Sequence, residues 1–231
     1  MNKVYGILVV YYDEYFDKSV SQFRKILERV SEDNELIIIT NQGEGGNALS
    51  PNILLGTNSA WEFSAWDEAV EYVKSKYVLK PKDVFILAND TFCHHRIFNS
   101  LTSFLFVSEF KNLFQRNERI VGELCTINEK FNIDNHVCSG WLSTYLFGCS
   151  FNVLENLLPL NSATNDSFTI IQSECRIEIP TFSLNIIKHL ENWVFPQTAG
   201  TGWYKSKEEV GELILKMKIR AIFNEKMLSK N

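Results

Sequence analysis

The sequence predicts an α/β fold built on a mainly parallel sheet with helices on both faces, and three observations carry that expectation. Apolar runs of strand length alternate with segments of helical periodicity through the first 90 residues. The runs are nearly continuous rather than alternating, as in strands covered on both sides. Polar residues collect immediately after the runs, where open parallel sheets hold their ligands.

Val4 to Tyr12 is the first strand, rich in Val, Ile and Tyr. Val20, Phe23, Ile26, Leu27 and Val30 then fall on one face at helical spacing. "ELIIIT" (35–40) is a second strand that stops at the glycine-rich "NQGEGGN", read as a flexible loop rather than an anion cradle. Phe63, Trp66, Ala69, Val70 and Val73 mark a second helix, and "DVFILA" a further buried strand. Right-handed crossovers link such strands.

Composition narrows the function classes. With 231 residues, 45% of them hydrophobic, the chain can bury a substantial core. A net charge of -5 gives no general basic footprint, so nucleic acid is not an expected partner. Five scattered cysteines without a CxxC pair suit free thiols in a reducing compartment. The N-terminal apolar run is too short to span a bilayer and has no small-residue cleavage site, so a cytoplasmic location is expected. No GxGxxG or GxxxxGK[ST] motif follows the first strand, which disfavours an ordinary dinucleotide or P-loop enzyme.

Asp13, Asn41 and Asp90 each follow a strand, so the three converge on one rim of the sheet. Two readings of "NDT" (89–91) stand side by side. Asp90 and Asn89 hold a ligand, or Asn, Asp and Thr simply form the cap or Asx turn that they favour. His94, His95 and Arg96 follow. Adjacent histidines diverge on a helix, so they do not read as a zinc pair; they offset phosphate charge or open a surface helix.

"TNSAWEFSAWDEAVEYV" (57–73) and "DVFILANDTF" (83–92) together resemble the donor half of bacterial GT-A-fold glycosyltransferases, most of all those that build rhamnose-rich and related surface polysaccharides such as capsule and O-antigen. The matching elements are Glu62, Phe63, Ala65 and Trp66, then Asn89, Asp90 and Thr91. "SGWLSTYLFGCSFNVLENLLP" (139–159) is similar to the family's acceptor-side strand and following helix, and "IIQSECRIEI" (170–179) to its acidic segment. The resemblance implies a GT-A-like, Rossmann-like fold with residues 1–195 as the transferase domain. Residues 196–231 would be a lid loop and amphipathic C-terminal helix of the same domain.

The same resemblance implies donor binding by Tyr11, Asp13, Asn41, Asn58, Glu62, Trp66, Asn89 and Asp90, with a nucleotide sugar as substrate. A diphosphate leaving group needs its charge stabilised by a divalent cation or by fixed cations. In the family an aspartate of a DxD-type signature holds the metal, here Asp90 for Mg2+ or Mn2+. "NDT" lacks the second carboxylate, which leaves metal dependence open. Glu62 is the better ligand contact of its helix, since Trp66 lies on the apolar stripe. An inverting enzyme needs a base, for which the resemblance points to Glu174 and Glu178, Glu174 ahead, with Asp166 outside them. The alternative is that one or both glutamates pair with Arg176 or Lys188 on the surface.

Trp141 and Tyr145 suit an acceptor shelf or ordinary strand packing. Trp203 and Tyr204, after Gly200 and Gly202, suit a lid. Val210, Leu213, Ile214, Met217 and Ile222 form a helical stripe accompanied by lysines, which packs on the domain or touches an anionic membrane peripherally. The expected function is sugar transfer to a glycan or lipid-linked acceptor at the inner membrane face. A nucleotidyltransferase and a degenerate, non-catalytic binding module are the alternatives.

Overall fold

The computed structural model describes residues 2–41, 53–163, 167–196, 202–203 and 211–228. Two compact units are formed, Met1–Glu123 with Ser143–Asn161, and Leu124–Leu142 with Ser162–Asn231.

The first unit contains the expected α/β alternation. Strand β1 (Val4–Val10) leads through a 3-10 turn at Asp13–Tyr15 into α1 (Phe16–Val30), and β2 (Asn34–Thr40) follows. A short strand β3 (Ile53–Leu55), which the sequence pattern did not separate from its loop, precedes α2 (Trp61–Lys76) and β4 (Val84–Asn89). A 3-10 turn at Asp90–Cys93, α3 (Ser100–Asn112) and β5 (Ile120–Cys125) come next. The short strands β6 (Phe131–Ile133) and β7 (His136–Cys138), which belong to the second unit, precede β8 (Trp141–Ser150) and α4 (Phe151–Leu157).

The sheet order is β3-β2-β1-β4-β8-β5. Strands β1, β2, β3 and β4 are parallel, and β8 runs antiparallel to β4. The chain therefore steps outward from β1 to β3 and returns on the other side of β1 as β4. That reversal puts the topological switch point between β1 and β4, the place where open α/β sheets open a crevice beyond their carboxyl ends.

Alternation along β1 sorts the two faces. Val4, Leu8 and Val10 pack with Phe23, Ile26, Leu27 and Val30 of α1 and with Val107 and Phe110 of α3. Gly6 belongs to that same face, and the Leu27 side chain occupies the space that a Cβ at residue 6 would need. On the opposite face α2 buries Phe63, Trp66, Ala69, Val70 and Val73, the five positions its periodicity marked.

In the second unit, β9 (Thr169–Ile171) and β10 (Arg176–Glu178) form an antiparallel hairpin, followed by α5 (Leu184–Val194) and α6 (Glu212–Met227). The buried residues of α6 are Leu215, Ile219, Ala221, Ile222, Phe223, Asn224 and Lys226. This corrects the expected stripe: Leu213 and Ile214 are exposed in the first turn, Met217 is half-buried and only Ile222 is retained. Val210, Lys205 and Lys207 lie outside the described residues. Among the described residues no helix is long and apolar enough to cross a membrane.

Candidate functional site at the strand ends

The parallel register brings the polar residues together. Val9 pairs with Asn89 and Val10 with Thr40, so the chain leaves β1, β2 and β4 at one level. Immediately beyond that level Asp90 turns inward. Its Oδ2 accepts hydrogen bonds from the backbone N–H groups of Tyr11 and Tyr12, both at 2.7 Å. The residue is 1% exposed. Burial pushes its carboxyl up to about 6, opposed by the Tyr12 and Tyr11 amides and assisted by the negative charge of Glu14. Asp90 thus laces the end of β4 to the end of β1 across the switch point.

Asn89 takes the capping role. Its Oδ1 accepts from the Thr91 backbone N–H at 3.2 Å and from the Thr91 hydroxyl, an Asx turn that opens the 3-10 segment. Of the two readings of "NDT", Asn89 follows the turn, while Asp90 is through Oδ2 a backbone acceptor between strands. Two further aspartates do similar work in this unit. Asp83 accepts from the Lys3 and Lys80 amides at 2.8 Å each, and Asp67 from Leu160 and Asn161 at 2.8 and 3.0 Å.

The carboxylate geometry bears directly on a metal. One buried aspartate whose Oδ2 already holds two amides, next to an asparagine engaged by Thr91, is not the open oxygen-ligand set a hard cation needs. No cluster of three His, Cys, Asp or Glu suited to a metal occurs among the described residues. A hard cation at the switch point would draw most of its ligands from substrate phosphates and water rather than from Asp90 Oδ2 and Asn89.

The rest of the rim is aromatic and amide-rich. Tyr11 and Tyr12 meet edge to face at 4.9 Å, and Tyr12 lies 4.9 Å from Tyr15. His94 stacks flat on Tyr15 at 3.9 Å, and His95 Nε2 is 3.2 Å from the Tyr15 hydroxyl. Burial lowers the His94 pKa, with the positive charge of Lys18 acting in the same direction. The two histidines therefore bracket a tyrosine. Lys18 Nζ donates to the Cys93 carbonyl at 2.7 Å and so stays beside the turn. Asp13 is exposed at the start of its own turn.

Across β2 and β3, Asn41 is buried and donates through Nδ2 to the Trp61 carbonyl at 3.1 Å. Its Oδ1 and that of Asn58 are both buried without a hydrogen-bond partner. Asn58 and Trp61 have φ of 53° and 52°. Positive φ is costly for a residue as bulky as tryptophan, and such strain collects at functional sites. Nothing in composition or periodicity marked this strained, under-bonded stretch. Glu62 is half-buried in the first turn of α2. Trp66 is a correction to the donor set: it is 0% exposed, edge to face with Phe63 and Phe147, and its indole N–H reaches the Ala88 carbonyl at 3.3 Å. Its apolar ring is inside, so it supports the rim without touching a ligand.

The remaining candidates are dispersed. Glu174 ends a 3-10 turn and Glu178 lies on β10, separated by Cys175 at φ 52°, so no single helix or strand carries both. Arg176 bridges them at 2.8 and 2.7 Å on the exposed hairpin, the surface-pairing alternative. Trp141 and Tyr145 share β8 but belong to different units. Trp203 is also a correction. It is buried, and its backbone N–H donates to Trp193 at 2.7 Å, which anchors it inside the second unit rather than on a lid. Tyr204, Gly200, Asp166 and the 42–50 loop lie outside the described residues.

Trp141 has an unexpected neighbour. Lys226 is 3% exposed, with Nζ 3.7 Å from the Trp141 ring centre and 2.7 Å from Glu225. Burial lowers its pKa against the opposing pull of Glu225, and burial followed by the Lys226 charge lowers that of His189, whose ring lies 5.3 Å from Trp141. A base whose folded pKa is depressed is less stabilising while charged, so its contribution rises as pH climbs from the folded to the unfolded value. Lys226→Met is therefore expected to be neutral or stabilising by about 1–2 kcal/mol at pH 7, read from the urea midpoint. A loss above about 3 kcal/mol would mean that Glu225 and the ring more than offset the desolvation.

No protein-family model matches the chain, and no curated protein is significantly similar to it. Fold and site together define an α/β protein with a mainly parallel six-stranded mixed sheet, flanking helices and a polar rim at the strand ends.

Proposed function

We propose that this protein transfers a sugar from a nucleotide-sugar donor to a glycan or lipid-linked acceptor, in the manner of the GT-A-fold enzymes of bacterial surface polysaccharide synthesis. The observation that carries the proposal is the rim along the carboxyl ends of β1 to β4, with half-buried tyrosines beyond β1 and unsatisfied amide oxygens and a strained backbone beyond β2 and β3. Tyr11 and Tyr12 offer faces on which a nucleobase stacks. The free Oδ1 atoms of Asn41 and Asn58 accept from base or ribose donors, and Glu62 from a ribose hydroxyl. Lys18, held on the Cys93 carbonyl at 2.7 Å, is the fixed cation beside the Asp90–Cys93 turn that carries the diphosphate.

A second reading has its own support. Asp90 is committed to two amides and Glu174 and Glu178 to Arg176, which suits a related module that binds nucleotide or glycan without turnover. Calorimetry with a panel of nucleotide sugars, with and without Mn2+, separates the possibilities. At least one donor is expected to bind, with an affinity indifferent to Mn2+; binding of none removes the transferase reading. Glu174→Gln and Glu178→Gln lie on an exposed hairpin and are each expected to change stability by no more than about 0.5 kcal/mol. Lost transfer in either variant would then report chemistry. Unchanged transfer in both would remove them as bases.

A further inference from the structure

The first unit contains a cavity of about 490 Å3 between the Asp90–Cys93 turn, α3 and β8, which shares His95 with the tyrosine rim. That volume falls in the range of small-molecule sites. Phe92, Phe98, Phe106 and Leu146 supply apolar lining, and Arg96 and Ser143 polar lining. Phe92 and Leu146 are buried, whereas the side chains of Arg96 and Glu123 are 41% and 48% exposed, so the cavity runs from an apolar interior to a charged opening. Ser143 is 2% exposed and its Oγ has no hydrogen-bond partner. A buried hydroxyl left unsatisfied in the wall of a cavity calls for an occupant that bonds to it.

Two surface features indicate what kind of occupant. Ile97, which also lines the cavity, is 86% exposed, and Leu101, Phe104 and Leu105 form a stripe on α3 that is more than half exposed. Contiguous large apolar side chains in water mark a contact surface. From residue 96 to residue 119 the chain carries four cationic residues, Arg96, Lys111, Arg116 and Arg119; Arg96 is paired with Glu123 and Arg119 with Glu109, which leaves Lys111 and Arg116 against Glu118. Arg29 of α1 is also held against Ser103 of α3 at 3.0 Å. An apolar stripe in a locally basic setting is complementary to an anionic lipid surface.

We propose that this cavity binds a single-chain anionic amphiphile, a long-chain alkyl phosphate, with its hydrocarbon against Phe92, Phe98, Phe106 and Leu146 and its phosphate on Arg96. Arg96 is prepared for the role. Its guanidinium lies 4.7 Å from the Tyr145 ring centre, and its present partner Glu123 is 3.4 Å away in a half-exposed, readily exchanged pair. The planar fork of arginine binds phosphate oxygens in pairs. Ser143 offers its hydroxyl to a phosphate or ester oxygen, and the α3 stripe rests on the lipid surface that supplies the ligand. The inference goes beyond the nucleotide-sugar reading and does not depend on it.

Titration of the full chain with dodecyl phosphate, below its aggregation concentration, tests the site. One equivalent is expected to bind, with dodecyl maltoside at least about tenfold weaker and inorganic phosphate giving no heat. Arg96→Gln should weaken dodecyl phosphate about tenfold, because a charge-assisted bidentate contact is lost from an exposed position that does not hold the fold. Phe106→Trp, which fills the cavity from a half-buried helix position, should abolish binding. Equal affinity in wild type and Arg96→Gln, equal affinity for the uncharged detergent, or partition onto anionic vesicles without binding of monomeric dodecyl phosphate would each overturn the proposal. The nucleotide-sugar panel run on the same samples keeps its failure distinct from failure of the transferase reading.

Discussion

Replacing Asp90 with alanine is expected to cost about 2–5 kcal/mol, because two part-buried backbone amides lose a carboxylate acceptor at the point where β1 and β4 separate. Asp90→Asn should behave quite differently. An amide oxygen still accepts both N–H groups, and the substitution removes a charge that burial disfavours. The sign follows from the raised pKa of about 6, above the value of about 3.9 for an unfolded aspartate. The folded state binds the proton more tightly, so the contribution of Asp90 is full below about pH 4 and is lost as pH rises through about 6. The wild type should therefore lose on the order of 2–3 kcal/mol of stability from this group between those pH values, and Asp90→Asn should not. Urea unfolding across that pH range measures the difference. Asp90→Asn that keeps its stability and also keeps sugar transfer would make the residue purely a lace; stability kept and transfer lost would give its charge a part in the reaction.

Trp66→Ala is expected to be the most damaging single change, at about 3–5 kcal/mol out of a total stability of about 5–15 kcal/mol for a domain of ordinary stability. The side chain is wholly buried between Phe63 and Phe147, 5.2 and 5.4 Å away, and its indole N–H is bonded to Ala88 of β4. Alanine leaves a cavity between α2 and the sheet and removes the indole hydrogen bond to the Ala88 carbonyl. The denaturation midpoint should fall with an unchanged slope. Trp66→Phe restores most of the volume and should recover more than half of the loss. Because Trp66 has no exposed surface, Trp66→Phe should leave nucleotide-sugar affinity unaltered. A large affinity loss in that folded variant would return Trp66 to the ligand-contacting set.

The fold of the first unit was legible because its signals are periodic. Phe23, Ile26, Leu27 and Val30 repeat at helical spacing, and the strand runs are too apolar to lie anywhere but between two layers. Strand β3 was not legible, since three residues, the last of them exposed, carry no period. On α6 the pattern was misread because Lys226 faces inward, and a lysine scores as polar whatever it touches. The rim residues were locatable from chain position alone: Asp13, Asn41 and Asp90 do follow strands. Their roles were not, because a carboxylate that accepts backbone amides and one that awaits a ligand are the same letter. Orphaned oxygens on Asn41 and Asn58, or a left-handed Trp61, exist only as three-dimensional facts.

The lace across the switch point has a consequence for how anything is recognised there. In a sheet whose central strands part freely, the amides at the end of β1 point into the gap and greet a ligand as fixed dipoles. Here Asp90 has already taken those of Tyr11 and Tyr12. On the proposed reading a ligand at this end of the sheet would be met above the gap by ring faces and side-chain amides, and its selectivity would be a matter of shape and stacking rather than of strand amides.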